Sequence, residues 1–128
     1  MGASKNFTTG AASRHDAAAG DRRVLDIAHL RTYTLGSREL ECELLGIFRI
    51  QMREQLLAIL GARHAEAWKF ATHTLKGAAR ALGAREVAET AGRLESLDFD
   101  AAAAEKAPLI ARLEIAIATC EGAIAALL

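Results

Sequence analysis

Neither sign of charge dominates this chain: 16 lysines and arginines balance 16 aspartates and glutamates. A net charge of zero leaves no basic footprint for nucleic acid, so a protein partner is expected instead. Cysteine is sparse too. Cys42 and Cys120 stand far apart in no CxxC or Cys/His metal spacing, which predicts reduced, partly buried thiols. No apolar run approaches the ~20 residues that a membrane span needs, and nothing reads as a signal peptide. No membrane contact and a cytoplasmic location are therefore expected. Neither GxxxxGK[ST] nor a GxGxxG after a strand-like segment is found, which argues against an ATP-using kinase. At 128 residues the chain can bury one core and has no room for a separate catalytic module.

Proline occurs once, and helical periodicity fills most of the chain. Residues 1–22 are rich in Ala, Gly, Ser and Thr without apolar periodicity, so a flexible N-terminal tail is expected, with 23–128 as the folded domain. Val24, Leu25, Ile27 and Leu30 mark a short helix that Asp26 can cap and Thr34-Leu35-Gly36 ends; it is expected to cover one end of the fold. Ser37 can cap a long helix to about Leu60, in which Leu40, Leu44, Ile47, Phe48, Met52, Leu56 and Ile59 recur at helical spacing before Gly61. A third helix runs from about His64 to Leu82 and breaks at Gly83. Arg85 to Leu97 gives the next, with Val87, Ala91, Leu94 and Leu97 inward. Asp98-Phe99-Asp100 turns the chain, and Asp100 is read as N-cap of a last helix from Ala101 to near Leu127. Leu109, Ile110, Leu113, Ile117, Cys120, Ile124 and Leu127 form its seam. Pro108 interrupts that seam, so a kink or break is expected near Lys106. Four long amphipathic helices on short loops predict an all-α fold, an antiparallel up-and-down four-helix bundle with a short extra N-terminal helix.

The helix from His64 to Leu82 carries two stripes. Trp68, Ala71, Leu75, Ala78, Ala79 and Leu82 gather on one side at 100° per residue and read as core. Lys69, His73, Lys76, Gly77 and Arg80 gather roughly opposite, so His73 is expected to meet solvent with cations a turn away. Helical side chains lean toward the N-terminus, over the turn that precedes them. Gly77 therefore leaves the imidazole uncovered, at a helix cost on the order of 0.5–1 kcal/mol relative to alanine. Lys76 leans back over His73 and is the better anion partner; Arg80, another turn on, comes second. Phe70 lies on the flank between the stripes, as packing residue or as part of a docking patch. On the preceding helix Ile47, Ile50 and Gln51 are candidates for the other side of such a patch. His64 reads as a loop or helix-start residue, and spacing supplies no partner for His15 or His29.

An exposed imidazole beside cations, with no acid, thiol or second histidine evident nearby, suits nucleophilic attack on phosphorus. Imidazole is largely neutral near pH 7, and a phosphoryl group on its nitrogen would need cationic screening. The stretch His73-Thr74-Leu75-Lys76-Gly77-Ala78-Ala79-Arg80-Ala81-Leu82-Gly83 resembles the H-x-L-K-G motif of the histidine-containing phosphotransfer (HPt) domains of bacterial multistep phosphorelays. The resemblance extends from about Leu40, through Leu44, Leu45 and Phe48, to Arg93-Leu94-Glu95. It implies that His73 carries the phosphoryl group, with Lys76 and Gly77 as its companions. It further implies receiver domains of a hybrid histidine kinase and a response regulator as partners. Those partners would bring the Mg²⁺ in their own acidic site, and this chain is expected to bind no cofactor or metal and to be a monomer. Two departures are visible: Gly61-Ala62-Arg63-His64 stands where many members carry an acidic loop residue, and Ala78 or Ala79 where serine is common.

Two other classes of function compete. A metal or haem bundle could draw on Met52, His73 and inward carboxylates, but the inward Glu-x-x-His pairs of di-metal bundles are absent. A helical scaffold could bind a receiver domain without carrying phosphate. An acid-labile phosphoramidate would separate phosphotransfer from both.

Overall fold

The computed structural model describes residues 23–128, so the expected N-terminal tail lies outside the described residues. Every regular element among the described residues is an α-helix. There are five: α1 Ile27–Thr34, α2 Arg38–Leu60, α3 Ala65–Leu82, α4 Arg85–Ser96 and α5 Ala103–Leu127. The starts of α1, α2 and α3 follow from local chemistry. The Asp26 carboxylate accepts from the His29 amide, the Ser37 hydroxyl from the Leu40 amide and the His64 ring from the Ala67 amide, satisfying donors a first turn leaves orphaned.

The four longer helices pack in a ring, α2 on α3, α3 on α4, α4 on α5 and α5 back on α2, while α1 lies against α2 and α3. Inside the ring sit Leu45, Met52, Leu56, Leu75, Leu82, Leu94, Leu113, Ile117 and Ile124, all at 1% exposure or less. Burial of each such side chain contributes roughly 1.5–3 kcal/mol, and this apolar term holds the ring together. Trp68 adds a polar fastening. Its indole N–H donates to the Leu94 and Leu97 carbonyls, both at 3.2 Å, and so ties the first turns of α3 to the end of α4.

The core of α2 is rotated from the expected seam. Leu40 and Ile47 are 37% and 57% exposed, and Leu45 is buried instead. At 100° per residue Leu45, Met52, Leu56 and Ile59 share one face with Glu41, and Leu40 and Ile47 fall more than a quarter turn away. Glu41 can be buried there because Arg31 and Arg38 both reach its carboxylate, at 2.8 and 2.7 Å. These pairs hold its pKa below the usual carboxylate range, the Arg31 hydrogen bond contributing most.

The last helix departs from expectation twice. It begins at Ala103, capped by Ala102 without a side-chain bond, and Asp98-Phe99-Asp100 forms the turn before it rather than its cap. It also runs on through Pro108 without a break. The hydrogen bond proline forgoes would go to Ala104, an exposed residue whose carbonyl can turn to water. The cysteines are both free; Cys120 is buried, and burial pushes its thiol up to about 12. Among the described residues no helix is long and apolar enough to cross a membrane.

The junction of α3 and α4 is the tightest place in the fold. Gly83 ends α3 at φ 82°, in the left-handed region, and Asp26 presses against it so closely that a Cβ there would lie 2.9 Å from two Asp26 atoms. The Asp26 amide donates to the Gly83 carbonyl and the Glu86 amide to the Arg23 carbonyl, which seats the segment before α1 across this junction.

Candidate functional site

The outward stripe of α3 meets the flank of α4. His73 is 69% exposed at its side chain, and its Nδ1 lies 2.9 Å from Oε2 of Glu95 on α4. The other oxygen of that carboxylate, Oε1, takes Lys76 Nζ at 2.5 Å. Glu95 therefore binds the imidazole and the ammonium together. Its pKa is held below the usual carboxylate range, first by the Lys76 hydrogen bond, against the opposing effect of burial, and then by His73. An ionised carboxylate can only accept, so in the neutral ring this contact favours the tautomer with the proton on Nδ1, which leaves the Nε2 lone pair free.

Two glycines shape the surroundings for different reasons. A Cβ on Gly92 of α4 would meet Lys76 Cδ at 3.4 Å, so that glycine gives the lysine stem room to cross toward Glu95. A Cβ on Gly77 would meet nothing within 4 Å, and its φ is ordinary. Among the described residues nothing packed against Gly77 repays the helix stability lost there. Beside His73 a shallow surface groove is lined by Glu66, Lys69, Phe70 and Glu95 with the imidazole itself, and Phe70 is 70% exposed, facing solvent rather than core.

The structure thus brings His73, Lys76, Lys69 and Phe70 to one surface, with Gly77 exposed on the same helix face. Arg80 opens instead onto a cleft with Asp26, His29, Gly83 and Arg85. Ile47, Ile50 and Gln51 do not line the His73 groove. Ile50 lines a different one between α2 and α5, with Arg49, Arg53, Leu57 and Glu121; Ile47 is exposed and Gln51 half-buried. The acid missing from the sequence-based picture is Glu95. Its signal was a carboxylate next to the core residue Leu94 and three residues after Gly92, on the helix expected to pack next; only the pairing of α3 with α4 turns that into a contact.

Among the described residues no group of three His, Cys, Asp or Glu side chains is placed to hold a metal ion. The family model of the Hpt domain matches residues 43–126, more than half of the chain, and the chain belongs to that family. No curated protein and no solved structure matches it.

Proposed function

We propose that this protein relays a phosphoryl group through His73, taking it from a receiver-domain aspartate of a hybrid histidine kinase and passing it to that of a response regulator. Hpt membership supports phosphotransfer in a phosphorelay. The observation that carries the assignment to His73 is the Nδ1 contact with Glu95, which leaves an exposed Nε2 as nucleophile. In the forward step Nε2 attacks phosphorus in line, the P–N bond forms, and the P–O bond to the partner's aspartate breaks to release its carboxylate. The ring becomes cationic as it attacks, and Glu95 on Nδ1–H offsets that charge. Attack by the second receiver's aspartate on phosphorus reverses the sequence and restores the neutral ring. Lys76, already beside the ring, screens the phosphoryl oxygens.

Gly77 gives the incoming group its path, and Lys69, Phe70 and Arg80 supply docking contacts; Ile47, Ile50 and Gln51 would join only if the partner also reached α2. Mg²⁺ belongs to the receiver, and the chain acts as a monomeric carrier without kinase activity of its own. The ring of helices is read as the antiparallel up-and-down arrangement, which sets His73 at mid-height on its wall. Mixing the chain with a ³²P-labelled phosphoreceiver tests this reading. Acid-labile, base-stable label should appear on the chain and vanish in His73→Gln with the helical content unchanged; label retained in that variant would overturn the assignment.

A further inference from the structure

Two turns beyond His73, α3 ends beside a cleft whose chemistry the phosphotransfer centre does not use. It is lined by Arg80 and Gly83 of the α3 end, Arg85 and Ala88 of α4, and Asp26 and His29 at the start of α1. Arg80 and Arg85 are exposed, and among the described residues neither guanidinium has a carboxylate partner, whereas Arg31, Arg38, Arg53 and Arg112 all do. The one acid in the cleft, Asp26, is already accepting the His29 amide. Small residues, Ala79, Gly83 and Ala88, form the remaining wall and leave the cationic groups uncovered.

Arg80 also lies on the same face of α3 as His73. Arg80 is seven residues after His73, about 10 Å along the axis at a rise of 1.5 Å per residue. A receiver docked with its aspartyl phosphate at His73 would reach that far, and the two guanidinium groups there suit carboxylates at the rim of the docked face.

We infer that the Arg80–Arg85–His29 cleft is a second anchor for acidic side chains of the receiver partner, fixing where that partner sits along α3. This rests on the phosphotransfer reading above. Asp26 and His29 lie outside residues 43–126, so part of the anchor is built from a segment beyond the residues that the family model matches. That makes it a feature by which this chain can select its own receiver from others able to reach the histidine. Unpaired cations at a protein–protein rim act mainly on encounter and orientation, and their effect fades with salt.

The test uses the full chain and a phosphorylated receiver domain with which it exchanges phosphate, with kcat and KM measured for Arg85→Glu and Arg85→Lys. Arg85 opens α4, where a glutamate suits the helix terminus, so the reversal should fold. Arg85→Glu should raise KM about tenfold with kcat within about twofold, and should flatten the salt dependence of kcat/KM. Arg85→Lys should recover most of the loss. Labelling by the small donor phosphoramidate, which needs no docking, should proceed at the wild-type rate in both. An unchanged KM in Arg85→Glu, or a loss that falls on kcat and on phosphoramidate labelling alike, would overturn the anchor. Failure of the wild-type chain to label with either donor would overturn the phosphotransfer reading, and the anchor with it.

Discussion

Among the described residues two carboxylates, Glu41 and Glu95, are each shown shared by two basic groups, and the contrast between them separates a fastening from the proposed reactive site. Glu41 is 3% exposed and is gripped by Arg31 and Arg38, so that α1 and the first turn of α2 are joined. Glu95 is gripped by Lys76 and His73. Guanidinium groups are permanently charged and have no lone pair to give, and a carboxylate bound by two of them can only hold elements together. When one of the two is an imidazole, the same arrangement fixes a tautomer and leaves the far nitrogen facing solvent. Identity of the partner, not the number of ion pairs, suits the second site to the proposed chemistry.

That contrast can be broken in graded steps, each read as the rate of phosphoryl transfer from a phosphorylated receiver. The largest of these losses is expected from Glu95→Ala, which removes the acceptor from Nδ1 and frees the ring to turn and change tautomer; transfer should fall on the order of 100-fold. Glu95→Gln keeps an acceptor oxygen but loses the charge that offsets the imidazolium, so about tenfold is expected, or ~1.4 kcal/mol of barrier. Equal rates in these two variants would mean that Glu95 does not set the tautomer. Gly77→Ala should slow transfer several-fold while raising stability by about 0.5–1 kcal/mol, since the added methyl relieves the glycine cost and meets nothing within 4 Å among the described residues. A stabilised variant with wild-type transfer would defeat the access argument.

The smallest effect on transfer belongs to Glu41→Gln, which should leave the rate unchanged and lower stability by about 1–2 kcal/mol, a figure already reduced for the half-exposed arginines. Because the folded-state pKa of Glu41 is lowered, its contribution is fully present above the ordinary glutamate value of about 4.3 and is lost as pH falls through the depressed folded value. The stability gap between wild type and Glu41→Gln, followed by urea unfolding, should accordingly be widest at neutral pH and shrink below about pH 4. A gap independent of pH would show that the ion pair contributes nothing.

Much of this was legible in the amino-acid order because it depended on neighbours three or four residues apart. The boundaries of α1 to α4, the caps at Asp26, Ser37 and Gly83, and the outward stripe of α3 all follow from local spacing and turn chemistry. What was hidden depended on which helix lies beside which. The burial of Glu41 depends on Arg31 and Arg38 closing on its carboxylate, which spacing does not reveal, and it shares the core-facing side of α2 from which Leu40 and Ile47 are turned away. Glu95 looked like the polar end of a helix until α3 and α4 were paired. Ile50 belonged, on spacing alone, as readily to the α3 side as to the α5 side where it stands. The start of α5 was misplaced because Asp100 has the right chemistry for a cap but sits in the preceding turn.

The central claim is that Glu95 holds the proton on Nδ1 so that the other ring nitrogen takes the phosphoryl group. Isotope-edited ¹⁵N and ³¹P NMR of the phosphorylated chain, with histidine labelled, tests it most directly. Phosphorus bonded to Nε2 of His73, with Nδ1 still protonated, is the predicted result, and phosphorus on Nδ1 or on any other residue would contradict it.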